Sequence, residues 1–134
     1  MGEQQAAPVH FPIQEFLGFV IDRGEGWATA RLALGDRHLN PNGIAHGSVA
    51  FALMDTAMGA AVMGVVDEGS ICATIEVHTR FHRGAASGEL IAEAKVLTAG
   101  RRVVHLEAKT HDEQGRLVAS ATGSFAVIPL PPSA

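Results

Sequence analysis

Asp55 is a lone carboxylate in an apolar run. From Val49 to Val62 the only polar residues are Asp55 and Thr56. A helix apolar almost all round is a buried helix, so an acid on it must be hydrogen-bonded or must face a cleft where its ionisation is useful. In a cleft it is suited to general-base work. Just upstream stands Asn40-Pro41-Asn42-Gly43-Ile44-Ala45-His46-Gly47-Ser48. Pro41, Asn42 and Gly43 are turn formers, which puts a helix start at Gly47. The first amides of a helix lack partners and carry partial positive charge, which suits a carbonyl oxygen becoming an oxyanion. Gly47 leaves such an amide uncovered. Ser48 reads as a helix-start residue and not as a nucleophile, because no Gly-x-Ser-x-Gly elbow surrounds it.

Spacing constrains how these groups cooperate. Gly47 and Asp55 are separated by eight helical steps, roughly 12 Å of rise. One chain's helix start and its own acid therefore cannot close on one small substrate atom. Either the two act at different sites, or each site borrows one element from a second chain.

The elements that must position them follow from the pattern. Residues 1–10 read as a flexible tail and 11–134 as one domain. Phe11 to Phe19 holds a short helical turn. Val20 to Leu34 alternates as a hairpin around the turn Arg23-Gly24-Glu25-Gly26, and the apolar helix runs from about Gly47 to Val65. Four strands follow, Cys72–His82, Leu90–Leu97, Val103–His111 and Leu117–Ile128, as an antiparallel meander. In the first of these Ile75, Val77, Thr79 and Phe81 alternate with Glu76, His78, Arg80 and His82. Strands, one long buried helix and then consecutive strands make an α+β chain.

Composition sets further bounds. A hydrophobic share of 47% and a charged share of 18% suit a compact domain with generous buried surface, as in an obligate oligomer. The formal net charge of −4 argues against nucleic acid as a partner. Cys72 is alone, which fits a reducing cytoplasm, and neither a secretion signal nor a membrane span is expected. Seven histidines raise the question of a metal. His78 and His82, four apart on a strand, stand about 13 Å from each other, and no His-Glu-x-x-His or paired cysteines occur, so no metal is expected.

The order Asn40…Gly43-x-x-His46-Gly47…Asp55-Thr56-Ala57, then Thr74-Ile75-Glu76-Val77-His78-Thr79-Arg80-Phe81, Gly88-Glu89-Leu90 and Gly100-Arg101, resembles the hotdog-fold acyl-CoA thioesterases of the phenylacetate-degradation (PaaI-like) type. The similarity runs from about Phe16 to Val127. It implies a curved antiparallel sheet wrapped around one central helix, edge-to-edge dimers commonly paired into tetramers, and hydrolysis of an acyl-CoA without a cofactor, while the small residues Ala57, Gly59, Ala60 and Ala61 leave room for an aryl or medium-chain acyl group. Residue by residue, it implies that the Gly47 amide polarises the thioester carbonyl while Asn40 and His46 shape that pocket. Asp55 from the facing subunit acts as base or nucleophile, with Thr74 positioning water. Phe81, His82, Arg83, Gly84 and Ala85, with Gly100, Arg101 and Arg102, hold coenzyme A, the arginines as phosphate partners.

Other readings exist for each residue. Asp55 can be a structural acid, His46 a hydrogen-bonding histidine, Thr74 a β-former, and Arg101 with Arg102 a solvated turn. At the level of the whole protein, a hydratase or dehydratase of the same fold is the rival enzyme, since His10-Phe11-Pro12 resembles a dehydratase histidine motif. A non-catalytic acyl-binding module is the third reading. The strand Cys72–His82 is expected at a sheet edge, pairing with its twin in a symmetric dimer.

Overall fold

The computed structural model describes residues 10–132, so the expected tail falls almost wholly outside the described residues. A short helix α1 (Pro12–Leu17) leads into the hairpin β1 (Val20–Gly24) and β2 (Trp27–Ala33). A 3-10 turn (Asp36–His38) precedes the long helix α2 (Gly47–Met63), and β3 (Ser70–Phe81), β4 (Glu89–Ala99), β5 (Val103–His111) and β6 (Leu117–Pro129) complete the chain. All six strands form one antiparallel sheet in the order β1-β2-β4-β5-β6-β3.

The sheet packs on α2 through an inner face in which small side chains are interspersed with Leu32, Leu90, Leu106 and Phe125. Ala28 and Ala30 on β2, Ala92 and Ala94 on β4, Ala108 on β5, and Ala119 and Ala121 on β6 are all buried. They let the helix sit close, and Leu53, Met54, Met58 and Val62 fill the remaining space. At Gly123 a Cβ would stand 3.0 Å from the Met58 sulfur, so β6 packs tightly on α2 there and a larger residue would require Met58 to shift. No helix among the described residues is long and apolar enough to cross a membrane.

Three sequence expectations change. First, α2 ends at Met63 and not near Val65. Second, β3 does not turn back onto β4. After Phe81 the amides of His82 and Arg83 both donate to the Val118 carbonyl, Ala85 accepts from the Ala45 amide, and Gly88 accepts from Leu34. The segment thus passes across the N-terminal end of α2, leaving β3 at the sheet edge beside β6. Third, the single alternation in β3 is interrupted. A register shift between Thr74 and Glu76 leaves Ile75 as an extra residue, 56% exposed. The bulge therefore puts Cys72 and Thr74 on the same face as Val77 and Thr79.

Candidate active site

The loop before α2 is closed by Asn40. Its backbone N–H donates to the Ile44 carbonyl (2.7 Å), and its side-chain Oδ1 accepts from the amides of Asn42 (2.9 Å) and Ile44 (3.3 Å). Gly43 lies at φ +80°, a left-handed conformation that glycine adopts without strain. This loop hands the chain to His46, whose amide donates to the His38 carbonyl (2.8 Å). His46 is the N-cap of α2, its Nδ1 accepting from the Ser48 amide at 3.0 Å. With Nδ1 an acceptor, the proton of the neutral ring lies on Nε2.

Ser48 is thus held by the cap, and the Gly47 amide is left with no hydrogen-bond partner among the described residues. Phe81 stands beside it, since a Cβ at Gly47 would meet that ring at 3.3 Å. Gly47 therefore presents a bare N–H at the positive end of a 17-residue helix.

Asp55 is half-buried in the middle of α2, and the Thr74 hydroxyl donates to its Oδ1 at 2.8 Å. The β3 bulge is what allows this, by turning Thr74 toward the helix. Both residues line a groove of about 700 Å³ between the two sheet edges, with Thr56, Gly59, Ala60 and Met63 from α2 and Phe125 from β6. Cys72 lies on the same wall. Burial, and next the charge of Asp55, push its thiol above the ordinary 9.0, which makes it a poor nucleophile at neutral pH.

Within one chain, then, Thr74 and Asp55 meet, whereas among the described residues Asn40 bonds only within its own loop, which leads through Ala45 to His46 and Gly47 at the start of α2. The two groups lie along α2 about eight residues apart, roughly 12 Å. The expected coenzyme A residues also divide. Arg83, Gly84 and Ala85 run beside the Asn40–Ala45 loop, where a Cβ at Gly84 would press on Ile44, whereas Gly100, Arg101 and Arg102 form the β4–β5 turn at the other end of α2, near Val65 and Asp67. A single protomer does not bring these two segments together. His82 bonds Ser120 Oγ at 2.8 Å on the sheet. His10 pairs with the Glu15 carboxylate (3.2 Å), exposed to solvent.

The groove contains residues that the sequence reading did not place there. Phe11, the N-cap of α1, and Gln14 in its first turn reach it, as do Ile21 and Arg23 from β1. Only the i, i+2 spacing of Ile21 and Arg23 hinted at a shared face, and nothing in the sequence indicated what that face covers. His38 is another such residue. It is buried, accepting from the Gly35 amide at Nδ1 (2.9 Å) and, with its proton therefore on Nε2, donating to the Leu17 carbonyl (2.8 Å). It ties α1 to the loop that carries Asn40.

Comparison with known proteins identifies the family and the fold. Residues 42–119 match the sequence profile of the Thioesterase superfamily. The chain is 31% identical over 101 residues to the proofreading thioesterase EntH of Klebsiella pneumoniae, covering 75% of this chain and 74% of that protein. Among solved structures, a conserved protein of Pseudomonas aeruginosa superposes with a TM-score of 0.84 at 32% identity, over 89% of this chain and 95% of that one. A thioesterase of Haemophilus influenzae superposes with a TM-score of 0.84 at 26% identity, over 90% and 85%. A curved antiparallel sheet gripping one helix whose middle carries an acid, matched along most of its length by thioesterases, places this chain in the thioesterase superfamily, with the hotdog fold.

Proposed function

We propose that the protein hydrolyses an acyl-CoA thioester carrying a medium-chain or aryl acyl group, in sites completed by a second copy of the chain. The observation that carries this reading is the hydrogen-bonded pair of Asp55 and Thr74 on the wall of an open, largely apolar groove. Thr74 spends its only proton on Asp55, so its lone pairs are left to accept from a water. The free oxygen of Asp55 can take a proton from that same water. Used as a base, Asp55 directs hydroxide at the thioester carbonyl; used as a nucleophile, it attacks the carbonyl itself. Either way negative charge grows on the carbonyl oxygen, and one well-placed amide lowers that barrier by about 3 kcal/mol. The amide is that of Gly47 in the partner, because the helix separates Gly47 from Asp55 of the same chain by about 12 Å. Thiolate is a good leaving group, so a strong general acid is dispensable.

In this reading the phosphates of coenzyme A meet Arg83, or Arg101 and Arg102, which lie at opposite ends of α2 in one chain and would share an entrance only across a dimer. Small groups along α2 at Gly59 and Ala60 leave the groove wide enough for the acyl part. Incubation with a panel of acyl-CoAs, read by titration of released thiol, tests the assignment. Thiol release that depends on acyl length supports it. A change in enoyl absorbance without thiol would instead mean hydration, and binding without reaction a carrier module.

A further inference from the structure

Among the described residues Arg23 is the one cation lining the groove that holds Asp55, which Phe11, Gln14, Ile21 and Met63 also line. It stands on the edge strand β1, two residues from Ile21 and therefore on the same face, turned toward α2. No ion pair engages it among the described residues, whereas Arg31, Lys95 and Arg116 elsewhere all have carboxylate partners. The position along the groove is set by the backbone. Gly24 packs directly against Gly64 at the end of α2, so Arg23 lies beside the last turn of the helix while Asp55 lies in its middle. Five to eight helical residues separate the two levels, roughly 7–12 Å, which is the reach of an extended medium-length acyl chain.

We infer that Arg23 reads the far end of the acyl group and that the preferred substrates are ω-carboxylated acyl thioesters. This rests on the thioesterase reading of the same groove. With the thioester carbonyl at Asp55, an apolar chain lies along Ala60 and Met63, and a terminal carboxylate meets the guanidinium. A charge-assisted, bidentate contact there distinguishes a carboxylate from a methyl end. A second role is open to this cation, since the carbonyl end of α2 is the negative end of its dipole. Stabilising the dipole alone would make no distinction between acyl groups.

The test uses a matched pair, suberyl-CoA and octanoyl-CoA, with the wild-type protein and the variants Arg23→Met and Arg23→Lys. Wild type should favour suberyl-CoA in kcat/KM by roughly tenfold, and the preference should weaken with added salt. Arg23→Met should bring the ratio to one or below, and Arg23→Lys should keep part of it. A ratio unchanged by Arg23→Met overturns the inference. So does an equal rise in KM for both thioesters, which would mean that the cation reads the coenzyme A carrier. If neither thioester is hydrolysed, the thioesterase reading fails separately. Dissociation constants of the same two ligands, compared between wild type and Arg23→Met, then still decide whether Arg23 selects a carboxylate.

Discussion

Asp55 and Thr74 are joined side chain to side chain in the groove, and changing Asp55 has separable consequences. Asp55→Asn keeps size and hydrogen bonding but removes the charge. Thiol release from acyl-CoA should fall by a factor on the order of a hundred or more while binding of the thioester persists. Near-normal turnover would make Asp55 a structural acid. Cys72 reports on the same charge without any turnover. Part of the elevation of its thiol comes from Asp55, so Asp55→Asn should lower it and speed alkylation of Cys72 at mildly alkaline pH. An unchanged alkylation rate would mean that the Asp55 charge is not felt at Cys72.

At the scale of elements, two joints hold the site in place. The end of α2 rests on the β1–β2 hairpin at Gly64, where an added Cβ would run into the Gly24 carbonyl oxygen. Gly64→Ala should cost about 1–3 kcal/mol in urea denaturation, because neither backbone can yield without disturbing the sheet edge. The β5–β6 turn is held by Asp112, whose carboxylate accepts from the amides of Gln114 (3.0 Å) and Arg116 (2.8 Å) and from Arg116 Nε (2.8 Å). Burial works against its charge, but the hydrogen bonds and the attraction of Arg116 outweigh it and hold the carboxyl below its ordinary 3.8. A depressed folded value means that the unfolded chain takes up the proton first. The contribution is therefore complete above the ordinary value and is lost as pH falls through it toward the folded one. Melting curves from about pH 6 down to about pH 3 should show wild type losing more Tm than Asp112→Asn; equal losses would mean that Asp112 does not set the acid limb.

The whole molecule is incomplete as a single chain if Gly47 and Asp55 serve one carbonyl. Strand β3 lies at the sheet edge, with Ile71 and Ile75 exposed along it, which is the surface a second copy would cover. Light scattering at micromolar concentration should give at least a dimer. A stricter test mixes Asp55→Ala subunits with Asn40→Ala subunits, the latter losing the acceptor that closes the loop before Gly47. After random exchange about half of the dimers are mixed and each has one intact site, so activity should return to roughly a quarter of wild type. Exchange without recovery would show that the two elements do not meet across an interface.

The apolar run around Asp55, the Pro41-Asn42-Gly43 turn and the period-2 segments determined by themselves that a long buried helix starts at Gly47 and is covered by antiparallel strands. Local steric preference and hydrophobic periodicity act over a few residues, and a few residues suffice to read them. They also placed Gly47 and Asp55 too far apart for one chain, since helix rise is a constant. Which strand lies beside β3, and which wall faces Asp55, was decided only by the tertiary structure. Those outcomes depend on where the Arg83–Gly88 crossing passes and on one extra residue at Ile75, which reverses the facing of every side chain beyond it. Arg23 entered the groove in the same way. The hairpin was legible, but Arg23 and Gly24 were read into its turn, whereas β1 runs on through Gly24; the face that the strand turns toward α2 goes with the close approach of Gly24 to Gly64, which no local pattern encodes.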